Sequence, residues 1–440
     1  MRDAVVLLIV FVGVLAALRR PWIGVMLWTW ISIMNPHRYA WSIAYSAPVA
    51  AAAAIATLIG ALMTRDRGSP FKAAPMTWLA LFVVWMTVSW LLGMDPSGDY
   101  EQWNKVMKIL LMIFVGMALL RTQQHIFALA WVAAGSLALL GAKGGLFTMV
   151  TGGGERVWGP PGSFIQDNNE FALALVMTIP LLRFLQLQLR KGWRRHGMTL
   201  VMLLCGAAAL GTHSRGALLA MVAMLALLWW RGRSRVLGGL VILLAGLALV
   251  SFMPESWTER MESIGTYDTD QSALGRFAAW EVAWRAALDH PFGVGFNASR
   301  PELFAAYLPG QNVGTPAAHS IYFQVLGHHG FVGLAIFVGL WVSTWRVASR
   351  VRRMVRELPQ ARWCSDLAAM CQVSLAGYAV GGAFLSLSYF DLPYNVMMLV
   401  VLTLAWVERR AWETEPVPVQ GRWLRVPGLS PPQPAAAKGP

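Results

Sequence analysis

Charge is scarce in this chain. Asp, Glu, Lys and Arg make up 13% of its 440 residues, against about 25% in ordinary soluble domains. With 57% hydrophobic residues and a mean hydropathy of +0.52, a soluble globular fold is excluded. Cysteine is scarcer still: Cys205, Cys364 and Cys371 are the whole complement. None falls in a loop expected on the outer side, and no two form a CxxC pair. A disulfide framework and a thiolate zinc site are therefore not expected. The glycine-rich "GGGERVWG" (152–159) does not fit GxxxxGK[ST], and HExxH does not occur. No internal repeat is visible, which counts against a transporter built from matching halves.

What the chain has instead is apolar runs near membrane-spanning length. They fall near 4–18, 21–34, 43–63, 76–93, 105–120, 126–150, 169–189, 198–212, 214–230, 236–253, 319–345, 366–388 and 392–408. The expected fold is an all-α polytopic membrane protein with twelve or thirteen transmembrane helices. Helices satisfy their own backbone groups in lipid, so a helical bundle is the architecture this predicts. The first run reads as an uncleaved start signal, since no small-residue cleavage site follows it.

The formal charge is +14, and its distribution explains it. Basic clusters at Arg19–Arg20, Arg65/Arg67/Lys72, Arg190/Lys191/Arg194/Arg195, Arg231/Arg233/Arg235 and Arg346/Arg350/Arg352/Arg353/Arg356 alternate with the runs and mark one face as cytoplasmic. Opposite loops are acidic or mixed, with Asp95, Asp99 and Glu101 in one and Glu255, Glu259, Glu262, Asp268 and Asp270 in another. Each basic cluster is short and ends a helix, so no nucleic-acid partner is expected. Four regions follow: N-terminal helices (1–253), an outer loop (254–318), C-terminal helices (319–408) and a Pro/Ala/Gly-rich tail (409–440) expected to be disordered.

The outer side carries the unusual residues. "ALGRFAAWEVAWRAALDH" (273–290) reads as an amphipathic helix with Arg276, Trp280 and Trp284 on one face, suited to a bilayer interface. "HPFGVGF" (290–296) breaks it, and Pro301 starts a short second helix. "GGGERVWGPPGSFIQDNNEF" (152–171) holds Arg156, Asp167, Asn168 and Asn169, and "LGTHSRGALLA" (210–220) turns through His213, Ser214 and Arg215. "AAHSIYFQVLGHHGFVGL" (317–334) places His319 at the start of a span and His328 and His329 about 14 Å deeper at 1.5 Å per residue. Alternation thus puts Arg156, Arg215, Arg276 and His319 in one layer. An arginine there also fits lipid-phosphate snorkelling, Asn168 and Asn169 also fit helix capping, and His328 and His329 read as packing residues. Adjacent histidines point apart on a helix, so no zinc site is expected.

Arginines with a histidine at the membrane boundary suit a transfer with a phosphate leaving group. A guanidinium fork neutralises the charge that develops on the leaving oxygen. An imidazole takes the proton of an attacking hydroxyl.

"THSRGA", the "LGRFAAWEVAWRAALDHPFGVGF" loop and "AHSIYFQVLGHHGFVGL", in that order, resemble the O-antigen ligase superfamily. "LRRPWIGVMLWTWISIMNPHRYAW" (18–41) is similar to exosortase-associated O-glycosylation ligases. The resemblance implies a cofactor-free, metal-independent, inverting glycosyltransferase in the bacterial inner membrane, with a helical periplasmic cap and a site facing the periplasm. Its donor would be an undecaprenyl-diphosphate glycan and its acceptor lipid A–core. By the same resemblance His319 is the catalytic base. Arg215, Arg276 and Arg156 bind the donor diphosphate, and Asn168 and Asn169 play secondary roles. The N-terminal similarity brings in a protein acceptor as an alternative. An O-antigen polymerase, a polysaccharide or lipid transporter and a non-catalytic scaffold are the other readings.

Overall fold

A computed structural model of the chain describes residues 2–232, 235–262, 271–310 and 314–415. Arg233, Asp268, Asp270, residues 311–313 of the approach to His319, and the expected disordered tail beyond 415 lie outside the described residues. Among the described residues seventeen α-helices run in order: α1 Arg2–Arg19, α2 Pro21–Met34, α3 Ile43–Ser46, α4 Val49–Met63, α5 Ala74–Leu91, α6 Pro96–Leu119, α7 Gln123–Val150, α8 Asn168–Gln188, α9 Trp193–Gly211, α10 Arg215–Arg231, α11 Arg235–Phe252, α12 Glu255–Glu262, α13 Gln271–Asp289, α14 Pro301–Tyr307, α15 Ile321–Met354, α16 Arg362–Gly381 and α17 Asp391–Glu408. Among the described residues there is no strand.

Every expected apolar run falls on a helix or, for 43–63, on two, and among the described residues seven helical segments are long and apolar enough to cross a membrane: α5, α6, α7, α8, α15, α17 and the stretch Pro359–Phe384 that contains α16. The other runs sit on helices that are shorter or more charged. The helix α2 has 14 residues and α4 has 15; α1 carries Arg2, Asp3 and Arg19, and α9 opens on Trp193-Arg194-Arg195. A count of twelve or thirteen requires these to cross as well. One run is corrected outright: 43–63 is two helices, α3 and α4, with Pro48 standing between them, where the ring removes a backbone donor.

Burial separates the spans where apolarity does not: those of α17 and α8 are 89% and 83% buried, while that of α5, more apolar than α17, is 33% buried. The glycines Gly141, Gly144 and Gly145 of α7 face Leu204, Cys205 and Ala208 of α9, the small-residue packing that lets membrane helices approach closely. Polar N-caps start α6 (Asp95), α7 (Thr122), α8 (Asp167), α10 (Ser214) and α15 (Ser320), each accepting a backbone N–H of the first turn.

Between α11 and α15 the chain forms α12, α13 and α14. Part of this segment has its own small core, in which Ala279, Val282 and Ala286 of α13 pack against Val294, Leu303, Phe304 and Leu308. It is tied to the bundle at a break in α15. Gly330 has φ 67° and ψ −174°, which interrupts the helix and releases the carbonyls of His328 and His329 from helical bonding. The His328 carbonyl accepts from Ser89 Oγ (2.8 Å) and Gly295 N (3.1 Å), and that of His329 from Trp85 Nε1 (2.8 Å). Gly293 is required at this junction. Its φ is +84°, and a Cβ would lie 2.2 Å from the His328 carbonyl oxygen.

The two imidazoles are buried in the same knot. His329 bonds Ser89 Oγ (3.0 Å) through Nδ1 and the Tyr389 hydroxyl (2.7 Å) through Nε2, and His328 Nδ1 bonds the same hydroxyl at 2.9 Å. Ser89 spends its proton on the His328 carbonyl, so it accepts from His329 Nδ1–H. Tyr389 then donates to His329 Nε2 and accepts from His328 Nδ1–H. Both histidines are satisfied as neutral rings. Beside them Asp99 accepts from Phe296 N (2.7 Å) and pairs with Arg300 (2.7 Å). Asp95 accepts from Gly98 N and Ser97, and with the Arg300 charge these hold its carboxyl below the usual carboxylate range.

Candidate active site

The site begins where α8 and α10 start. Asp167 caps α8 by accepting from Asn169 N (2.9 Å) and also holds the Asn169 side-chain amide (2.8 Å). Asn168 is the first residue of the helix and not its cap. Its amide crosses to the Thr212 carbonyl at 2.6 Å, tying the start of α8 to the end of α9. His213 then takes φ +58° and reverses the chain. Its Nε2 lies 2.8 Å from the Gly153 carbonyl, and Ser214 caps α10 at Ala217 N. Arg215 is the first residue of α10, half-buried.

The third partner arrives from residues 314–320. His319 has φ +42°, a left-handed conformation without glycine, and Ser320 behind it caps α15. Residues held in this region cost on the order of 1–3 kcal/mol and collect at functional sites. His319 Nδ1 lies 3.8 Å from Glu170 Oε1 on the first turn of α8. The connection after α16 links the starts of α10 and α15: a Cβ on Gly216 would meet Phe384, and one on Gly382 would meet Ile321. From the other side Trp280 of α13 donates to the Ala318 carbonyl (2.7 Å) and stacks on Phe323 at 4.7 Å. A Cβ on Gly275 would lie 3.6 Å from Pro316. Arg276 lies between these two anchors on α13, beside the segment that delivers His319.

Thus the starts of α8, α10 and α15 gather Asn168, Asn169, Arg215 and His319, with Arg276 on the flanking helix. Three helix N-termini present their unsatisfied N–H groups to one layer, a setting that favours an anion. Arg156 is the expected site residue that is not drawn in. It is exposed on the loop before α8, and no ion pair to it occurs among the described residues. Its neighbour Val157 donates to the Gly211 carbonyl at 3.0 Å, so the loop, though not the side chain, is fixed to the layer. Trp284 is exposed and meets Phe331 edge-on at 5.2 Å.

One residue of the layer escaped the reading of the sequence. Glu170 stands three after the cap in D-x-x-E, the spacing of a capping box, in which such a Glu turns back to the cap. Here it faces His319 instead. Only its opposition to a residue from a distant segment shows this.

These features define a multi-pass helical membrane protein in which Asp167, Glu170, Arg215 and His319 lie where α8, α10 and α15 start. Residues 200–338 match the family described as O-Antigen ligase, and residues 1–189 match a family of unknown function, DUF5935. Residues 200–338 are thus similar to a domain of ligase- and polymerase-type membrane enzymes. No curated protein matches it. The layer takes Asn168 and Glu170 from the matched residues 1–189, and Thr212, Arg215, Arg276 and His319 from the matched residues 200–338.

Proposed function

We propose that this protein transfers a glycan from undecaprenyl diphosphate to an acceptor hydroxyl, with inversion and without a metal. The acceptor oxygen attacks the anomeric carbon. The bond from that carbon to the diphosphate oxygen breaks, and its electron pair leaves with the diphosphate. The hydroxyl proton passes to His319. Arg215 and Arg276, with the N-termini of α8, α10 and α15, take up the charge that grows on the leaving group. One direct displacement inverts the carbon and needs no carboxylate nucleophile.

The observation that carries this reading is the placement of His319. It sits in strained backbone at the end of the bundle where three helices start and where Arg215 and Arg276 lie. A lipid-carried donor suits a layer at membrane level, and the family suits a glycan. Lipid A–core is the acceptor proposed, at the periplasmic face of the inner membrane. The match of residues 1–189 to a separate family favours testing a protein acceptor beside it.

The test is transfer in proteoliposomes with undecaprenyl-diphosphate glycan, offered lipid A–core in one arm and a Ser/Thr-bearing protein in the other. Product on lipid A–core that survives EDTA is expected. Lengthened lipid-linked chains with neither acceptor modified would replace ligation by polymerisation. Glycan movement across the bilayer with no new bond would replace both by transport.

A further inference from the structure

We infer that Glu170 is the positioning residue of His319: it holds the imidazole as the Nδ1–H tautomer and leaves Nε2 to receive the acceptor proton. The inference rests on the transfer reaction proposed above and adds to it a residue outside the O-antigen ligase match.

The two faces of the imidazole are unlike. Nδ1 is buried and makes no hydrogen bond. It points toward Glu170 Oε1, 3.8 Å away, and Glu170 is 8% exposed. The His319 side chain as a whole is 36% exposed, so the accessible edge is the one that carries Nε2. A base must reach its substrate through an accessible nitrogen, and the other nitrogen must then carry the proton. A buried nitrogen facing a carboxylate is where that proton is stabilised.

Glu170 is also the member of the acidic pair on this turn that faces His319. Asp167 is engaged as the cap by the Asn169 backbone and side chain, whereas Glu170 Oε2 is buried without a partner. A buried carboxylate oxygen left in this state is costly, and the cost is offset when a cation forms beside it. That happens when His319 takes the hydroxyl proton: Nε2 gains it, Nδ1 keeps its own, and the imidazolium faces Glu170. A rotation of either side chain shortens 3.8 Å to hydrogen-bond length, as catalytic contacts do on substrate binding. The charged groups at the ends of these elements nearest His319 are Asp167 at the cap of α8, Glu170 on its first turn, Arg215 at the start of α10 and Arg276 on α13. Of the acids, Glu170 has the oxygen recorded against Nδ1.

The experiment is the pH–rate profile of Glu170→Gln in the proteoliposome assay, with Glu170→Asp and His319→Ala as companions. Gln keeps size and loses charge. Its kcat is expected to fall about 100-fold, while KM for the lipid-linked donor stays at the wild-type value because the arginines are untouched. A carboxylate stabilises an imidazolium formed beside it and an amide does not, so the acid limb of kcat/KM should move to lower pH. Glu170→Asp, which keeps the charge, should hold the wild-type limb and recover part of kcat. A purely structural residue would lower the yield of folded protein and leave the limb in place.

Wild-type kcat and an unmoved limb in Glu170→Gln would overturn the assignment. A Glu170→Asp enzyme no better than Gln, with its limb also shifted, would overturn the charge argument. If His319→Ala remains active, it is the base that fails. If His319→Ala is dead and Glu170→Gln behaves as wild type, only the role of Glu170 fails.

Discussion

Two groups of histidines lie on the same stretch of chain, and their surroundings are opposite. His328 and His329 are deep in the bundle, and Ser89, Tyr389 and the backbone around them complete a closed set of hydrogen bonds. His319 is at the boundary, in a left-handed backbone, with one nitrogen buried and unbonded. Buried polar groups with every partner in place fix one arrangement of the chain. Groups left short of partners have capacity for something that binds. The first set locks the segment before α14 to α5, α6 and α15. The second is where chemistry is proposed.

The comparison breaks most visibly at His319. His319→Ala should lower transfer by about 10²–10⁴-fold with no loss of thermal stability. Turnover and unfolding measured on one detergent preparation check both. If stability falls with activity, the two groups are not different in kind. The next effect belongs to the lock. Asp99→Ala removes the buried carboxylate that holds Arg300 and Phe296 N, leaves Arg300 only the longer contact to Asp95, and should cost about 3 kcal/mol, read as a lower unfolding midpoint. Tyr389→Phe removes the hydroxyl shared by both deep histidines. It should cost about 2 kcal/mol and leave KM for the donor unchanged.

Two smaller effects sharpen the contrast. Arg215→Lys keeps the charge but loses the planar fork, so transfer should fall about tenfold, and a wild-type rate would remove the proposed diphosphate contact. Asp95 titrates in the lock and not in the site. Its carboxyl is held low in the folded state, so its stabilising share is complete above the ordinary Asp range near pH 3.9 and is lost as pH falls through the depressed value. Asp95→Asn should remove that acid dependence with the smallest stability change of the set.

Much of this was legible in the sequence because charge is so rare. The apolar runs stood out against the basic clusters, and all of them fall on helices, with 43–63 divided into two. Caps at Ser214 and Ser320, and the amphipathic helix around Arg276 and Trp280, follow from local chemistry. Pro48 was a visible break that the long run 43–63 concealed. Gly330 was not readable in the same way. A glycine in a membrane helix serves close packing as often as a break, and only the partners waiting at Ser89, Trp85 and Gly295 separate the two. Glu170 was hidden for a related reason. An acid on the first turn is ordinary helix chemistry, and its opposition to His319 exists only in three dimensions. His328 and His329 were read as packing residues, which is correct for their place but misses that they are hydrogen-bonded ones.

The left-handed backbone at His319 has a consequence for selection. Glycine or asparagine would sit at φ +42° with less strain, so His319→Gly or His319→Asn should be as stable as the native chain or more so, by about 1 kcal/mol. Screening for thermostability alone would then drift away from histidine at this position. Screening for transfer would restore it. A residue that the fold tolerates less well than its replacements is kept by what it does.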